Sequence, residues 1–287
     1  MKSFRSQVVD DIFLFAKERN PFELIEKKYQ ALSRNTLASE LVGVDIMPEI
    51  FEHDSSEEKL WSKFSDFALC KSLEFLGLNS EVLRTRGNSA DVYSKGKNYT
   101  LVSDAKCFRL SRTAKNQKDF KIKALDDWRR EDTYALLVSP LFQYPSDKSQ
   151  IYSQAISHNV TLLSYLHLQF MLEKSADNNL ENLWKLPQHI KNNYKKSEQE
   201  RGSIYWKVAD DFVCKITHQT LDSFEKYKKF EIEKTKEIGD EGVKYWREKI
   251  LEFGNLNKEQ AIALLIKSEK IEQKIETIEK TIRKLSA

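Results

Sequence analysis

The sequence predicts an α/β protein, a mixed central sheet flanked by helices, with a helical N-terminal part and a large helical C-terminal part. Apolar residues recur at helical spacing from residue 4 to about 76, and short segments rich in β-formers follow between 81 and 164. Beyond Asn179, strand signals, glycine and proline become scarce while lysine and glutamate dominate. With 287 residues, 40% hydrophobic and 11% aromatic, the chain can bury one large core or two small ones without covalent staples. The expected organisation is a single unit over 1–287, built of a helical part (1–76), a catalytic α/β core (77–175) and a helical part (176–287).

In the first part, Val8, Ile12 and Phe15, then Leu60, Phe64, Phe67, Leu69 and Leu73, mark apolar helix faces. Asn20-Pro21 reads as an N-cap and first helical residue. Asp54-Ser55-Ser56, ahead of Glu57 and Glu58, starts another helix that runs to Leu76. Past Gly77, extended runs occupy Glu81 to Arg86, Ala90 to Ser94 and Asn98 to Asp104, the last two joined by Lys95-Gly96-Lys97 as in a hairpin or meander. A helix is expected from Lys118 to Arg130, and Thr133 to Ser139 and Val160 to Ser164 read as buried strands. Near the end, Ile271, Ile275, Ile278, Ile282 and Leu285 form an a/d seam, which suits either a helix lying on its own domain or one packing on another subunit.

Composition narrows the function only a little. The 47 basic and 44 acidic residues leave a net charge of +3, which does not by itself point to a nucleic acid. Cys70, Cys107 and Cys214 are far apart and have no metal-ligand spacing, which suits a reducing cytoplasm and argues against a structural zinc. Charges at Asp10, Asp11, Lys17, Glu18 and Arg19 interrupt the N-terminus, so neither a signal segment nor a membrane span is expected there, and the protein is expected in the cytoplasm. His53, His158, His167, His189 and His218 show no motif spacing, and no nucleophile elbow or phosphate loop is present.

Chemistry concentrates at Asp91, at the start of one strand, and at Asp104-Ala105-Lys106, which ends the next. Alternation along a strand puts Asp104 and Lys106 on the same face, and hairpin pairing would bring Asp91 to the same end of the sheet. Two carboxylates and the Ala105 carbonyl are the hard oxygen donors that magnesium takes, and an ammonium can hold a water and neutralise charge on a phosphate. An aspartate followed thirteen residues later by Asp-x-Lys is a weak signal alone, because such triplets arise by chance in a lysine-rich chain.

Local charge adds to it. From Lys106 to Lys123 there are seven basic residues and one acid, a local net of +6, as phosphate binding requires. Arg109, Arg112, Lys115, Lys118 and Lys121 supply the charge, while Asn116 and Gln117 can read base edges. Three readings stay open for the lone acid, Asp119: a further metal ligand, an acceptor orienting a neighbouring lysine or a cytosine amine, or charge at a helix N-terminus.

The segment LVSDAKCFRLSRTAKNQKDFKIKAL (101–125) closely resembles the HindIII family of type II restriction endonucleases, EcoRI-like members of the PD-(D/E)xK nuclease superfamily. The likeness continues through RGNSADV (86–92) and FQYPSDKSQI (142–151), more loosely through SSEEKLWSK (55–63), and is more divergent in the C-terminal region. The resemblance implies a restriction-endonuclease-like core and a homodimer on double-stranded DNA. It further implies two magnesium ions per active site and cleavage of the palindrome A/AGCTT to 5′ overhangs, with 5′-phosphate and 3′-hydroxyl ends. It places Asp91, Asp104 and Lys106 at the catalytic centre, with Glu58 where some of these enzymes carry a further acid; a solvated first-turn residue is the plainer reading of Glu58. Asn116 and Lys118 become the best candidates for base reading, and Arg86 and Asn88 join the DNA-binding set. Where the family has a glutamate ahead of its Arg-Gly pair, this chain has Arg84, so a metal ligand is not expected there and added positive charge for DNA is. A cognate methyltransferase is the expected genetic partner. A catalytically inactive DNA-binding protein and a repair or junction nuclease on the same core are the competing functions.

Overall fold

The computed structural model describes residues 2–84, 89–112, 117–176, 180–194 and 201–285, with the backbone alone at 117 and 280–285. Two compact units emerge, Met1–Gly239 and Asp240–Ala287. In the larger unit the helices α1 (Phe4–Phe15), α2 (Pro21–Tyr29), α3 (Arg34–Val44) and α4 (Ser56–Phe75) precede the sheet. Strands β1 (Asn79–Val82), β2 (Val92–Lys95) and β3 (Thr100–Ala105) form an antiparallel meander; β4 (Tyr134–Ser139) and β5 (Val160–Ser164) then extend it in parallel, in the order β1-β2-β3-β4-β5. The parallel steps need crossovers, which α5 (Ile122–Arg129) and α6 (Gln150–Ser157) provide.

Helix starts follow the expected chemistry. The Ser55 side chain accepts from the Glu58 amide at 3.1 Å and caps α4, with Glu57 and Glu58 in the first turn. Asn20 and Pro21 open α2, although the Asn20 amide donates to the Glu23 carboxylate at 3.3 Å rather than capping the backbone. Gly96 turns the hairpin between β2 and β3, donating to Tyr99 O at 2.9 Å, and any Cβ there would collide with the Tyr99 ring.

The parallel strands β4 and β5 are buried on both faces, so they read as nearly continuous apolar runs. Leu101, Leu136, Val138 and Leu163 pack with Trp61, Phe64 and Leu69 of α4 and with α7 (Tyr165–Glu173). Val102, Ala135, Leu137 and Leu162 point the other way, into a core with α5, α6, α9 (Leu186–Asn193) and α10 (Arg201–Ile216). Two helices, α6 and α7, were not expected from sequence. Every residue of α7 from Tyr165 to Leu172 is buried, so it has no polar face to give it a helical period. The helix expected from Lys118 begins later, at Ile122, because Lys121 takes a left-handed backbone (φ 46°) after a short 3₁₀ turn at Gln117–Asp119. The remaining helices are α8 (Glu181–Trp184), α11 (Leu221–Gly254), α12 (Lys258–Ser268) and α13 (Ile271–Leu285). None of the described helices is long and apolar enough to cross a membrane.

Candidate active site

The β2–β3 register pairs Val92 with Ser103, and one step further along the ladder it sets Asp91 against Asp104. The Asp91 amide still donates to Ser103 O at 3.0 Å, while the Ala105 amide donates to Asp91 Oδ2 at 3.4 Å. Just past β3, the Lys106 amide donates to Val138 O of β4 at 2.8 Å, so the lysine backbone is fixed by the central parallel pair. Its ammonium ion-pairs with Asp104. The three residues singled out by spacing therefore meet at one end of the sheet, at the carboxyl ends of β3 and β4, where open α/β sheets place their sites.

Asp104 is 2% exposed, and burial, aggravated by the Asp91 charge, raises its carboxyl well above the usual range despite Lys106. Burial also works to raise Asp91. The hydrogen bond with the Asp104 carboxyl, the Lys106 and Lys63 charges and the Ala105 amide outweigh it, and Asp91 falls below its ordinary value. The two carboxyls are thus pushed in opposite directions, Asp104 up and Asp91 down, as in paired acids that call for a cation between them. Burial opposes the charge of Lys106, but Asp104 and Asp91 more than compensate and hold its ammonium protonated.

Sequence reasoning missed two members of this cluster, both on α4. The Lys63 ammonium lies 2.8 Å from Asp66 Oδ2 and 3.7 Å from Asp91 Oδ1. Burial and the Asp91 charge push the buried Asp66 carboxyl from 3.8 up to about 7, against the pull of Lys63 and Lys106. The available signal was a single carboxylate within the apolar run from Phe64 to Cys70.

Glu58, the acid expected on α4, sits two turns earlier and has a different partner. It accepts from Arg109 Nη1 at 3.0 Å and from the Asp54 amide at 2.6 Å, while Arg109 Nη2 donates to Phe51 O at 2.8 Å. Asp119 likewise ion-pairs with Arg112, whose guanidinium lies 4.4 Å over the Phe108 ring. A cavity of about 400 Å³ runs from Ser62 and Cys107, chain neighbours of Lys63 and Lys106, to Glu58, Arg109 and Arg112. Arg84 pairs with Glu26 at 2.6 Å and faces Glu23 at 3.8 Å, both on α2. Lys118 is exposed and Lys121 occupies the left-handed turn before α5. Arg86, Asn88, Lys115 and Asn116 lie outside the described residues, as does the side chain of Gln117.

The site suits a hard divalent ion. Asp104 Oδ2 is buried and accepts no aligned hydrogen bond, although the Lys106 ammonium touches it. Among the described residues no three His, Cys, Asp or Glu side chains converge on one ion position. Two carboxylates and the Ala105 carbonyl would leave coordination positions for water and phosphate, as magnesium sites do.

A meander running into two parallel strands, with an aspartate pair and an Asp-x-Lys lysine at the strand ends, defines a nuclease with a restriction-endonuclease-like core. Comparison with known proteins carries this to the family. The sequence pattern of the HindIII restriction endonuclease family matches residues 14–282. The chain is also 38% identical over 258 residues to the type II restriction enzyme HindIII of Haemophilus influenzae, covering 88% of this chain and 85% of that one. The chain belongs to the HindIII restriction endonuclease family, as the segment at 101–125 suggested, and is a site-specific restriction endonuclease, a DNA-binding hydrolase.

Proposed function

We propose that the protein cuts double-stranded DNA at the palindrome A/AGCTT as a twofold homodimer, leaving 5′ overhangs with 5′-phosphate and 3′-hydroxyl ends. The observation that carries this reading is the meeting of Asp91, Asp104 and Lys106 at the sheet end of a chain of this family. Asp91, Asp104 and the Ala105 carbonyl would hold magnesium, with a second ion per site drawing on the same carboxylates. When bound, magnesium supplies a Lewis acid for the nonbridging phosphate oxygens and makes water a better nucleophile at neutral pH. Lys106, anchored on Val138, orients the attacking water and offsets negative charge on the phosphate. Asp66 and Lys63 fix the Asp91 carboxylate from the α4 side.

Glu58 and Asp119 fit best as acceptors that aim Arg109 and Arg112 at the DNA backbone, which favours the orienting role for Asp119 over direct ligation. Arg84, Arg86, Asn88, Lys115, Lys118 and Lys121 complete a basic surface, with Asn116 and Gln117 reading bases. A palindrome suits two identical subunits presenting identical surfaces to its half-sites. A restriction enzyme works in the cytoplasm, where a methyltransferase of the same specificity protects host DNA, and that partner is expected from a neighbouring gene.

Digestion of plasmid DNA tests the whole reading. Discrete fragments with magnesium, none with EDTA, and mapped ends at A/AGCTT are expected. Sequence-specific binding without cleavage in any divalent metal would replace it with an inactive binder, and preference for branched DNA with a repair nuclease.

A further inference from the structure

The smaller unit, Asp240–Ala287, has a surface that its own fold does not explain. None of the side chains described between 240 and 279 is buried. Of the eighteen large apolar side chains exposed among the described residues, twelve fall in this short stretch, each exposed by 36–69%. They are ordered. On the distal part of α11, Val243, Trp246, Ile250 and Phe253 step by three, four and three residues. On α13, Ile271, Ile275 and Ile278 step by four and three and line one side of the helix. Between them, α12 carries Ile262, Leu264, Leu265 and Ile266 with no buried residue at all.

Such spacing is the seam of helices that pack on other helices, and helices of eleven and fifteen residues are marginal in water unless their apolar stripes are covered. At roughly 150 Å² per side chain, half exposed on average, the twelve present on the order of 900 Å² of apolar surface, close to the ~800 Å² each partner gives to a stable interface.

We infer that this unit is the self-association element of the protein, the apolar surfaces of its α11, α12 and α13 packing against the same surfaces of a second copy of this chain. The inference rests on the homodimer reading above and gives it a location. Two observations select a second copy as the occupant. The other six exposed apolar side chains, Leu14, Ile50, Tyr194, Leu221, Phe230 and Ile232, are scattered over several elements and form no stripe of matching length within Met1–Gly239. Charge across 240–287 is balanced, 10 basic minus 9 acidic residues giving +1, so two copies do not repel and the surface lacks the excess of positive charge that would mark it for DNA. A twofold axis brings each seam onto an identical, equally apolar seam, which is the self-complementarity of an isologous interface.

The test uses the full chain. Sedimentation should show a dimer for the native protein, and Ile250→Glu with Ile275→Glu should weaken it by about 100-fold or more, because charges are placed at the centre of the seam. Ile275→Leu, which keeps the seam apolar, should leave the dimer intact. Amide hydrogen exchange on the unaltered chain covers the case in which the charged variant fails to fold. On raising protein concentration through dimerisation, new protection should appear in peptides from 240–285. A native dimer whose concentration-dependent protection falls elsewhere overturns the inference and leaves the homodimer reading standing. Protection of 240–285 that is the same at every concentration also overturns it, because the seams are then covered within one chain. A chain that stays monomeric at all concentrations overturns the homodimer reading itself.

Discussion

The sheet end and the segment that leaves it handle charge in opposite ways. At the sheet end, Asp66, Asp91 and Asp104 meet Lys63 and Lys106 in a largely buried cluster, where burial raises the Asp104 and Asp66 carboxyls above their ordinary range. A few residues later, Arg109 and Arg112 each meet one carboxylate, Glu58 or Asp119, on the partly solvated side of a cavity. In the first region the acids outnumber the cations and are short of positive charge. In the second, each cation already has a replaceable partner. A divalent ion completes the first arrangement, whereas a DNA phosphate can displace the carboxylates of the second. One region should therefore govern the chemical step and the other the strength of binding.

The sharpest way to break this contrast is to alter the sheet end. Asp104→Asn and Lys106→Ala should each lower the cleavage rate by about 10³-fold or more, the scale of losing a charge stabiliser at a reacting centre. Binding of uncut DNA in calcium, measured by fluorescence anisotropy, should change far less. A variant that loses binding and cutting in equal proportion would place Asp104 or Lys106 in the second region instead.

Asp66 gives the next largest effect, in stability. The folded carboxyl keeps its proton up to about 7, whereas the unfolded chain releases it near 3.8. Between those values the native state binds the extra proton, so this group's contribution to stability is full below 3.8 and is lost as pH rises to about 7. Thermal melts in EDTA should show a lower Tm at pH 7.5 than at pH 5, and Asp66→Asn should flatten that difference. An unchanged pH slope in the variant would mean that another group carries it.

Asp66 also marks the limit of what the sequence makes legible. The meander, both parallel strands, the Ser55 cap and the meeting of Asp91, Asp104 and Lys106 follow from local signals, since alternation, turn residues and caps act over a few positions. Glu58 is expected as the further acid of α4 because it stands where some related enzymes carry one, yet its carboxylate turns to Arg109. Asp66 and Lys63 acquire their roles only when α4 packs beside the β2–β3 ladder, a long-range contact with no local period. Helix α7 escaped for a related reason, because a helix buried on every side has no polar face to reveal its turn, whereas α6 has one at Gln150, Ser153 and Ser157 but spans only eight residues.

The basic segment should respond more mildly and in a different observable. Arg109→Ala should weaken DNA binding about 10-fold and reduce the slope of log affinity against log salt by about 1, the signature of one lost phosphate contact, while the cleavage rate of bound DNA changes little.

The smallest effect separates Glu58 from the Asp91–Asp104 pair. Glu58→Gln keeps an acceptor for Arg109 but removes a full charge, so DNA binding should shift by less than about 5-fold, as for a partly exposed ion pair. Single-turnover cleavage should keep its rate and its magnesium dependence, because Glu58 is held by Arg109 and the Asp54 amide, away from the Asp91–Asp104 pair. If Glu58→Gln instead raises the magnesium concentration needed for half-maximal rate as strongly as Asp91→Asn does, then Glu58 leaves Arg109 when DNA binds and joins the ion site. That result would merge the two regions into one, with the Arg109 pair acting as the resting position of a ligand.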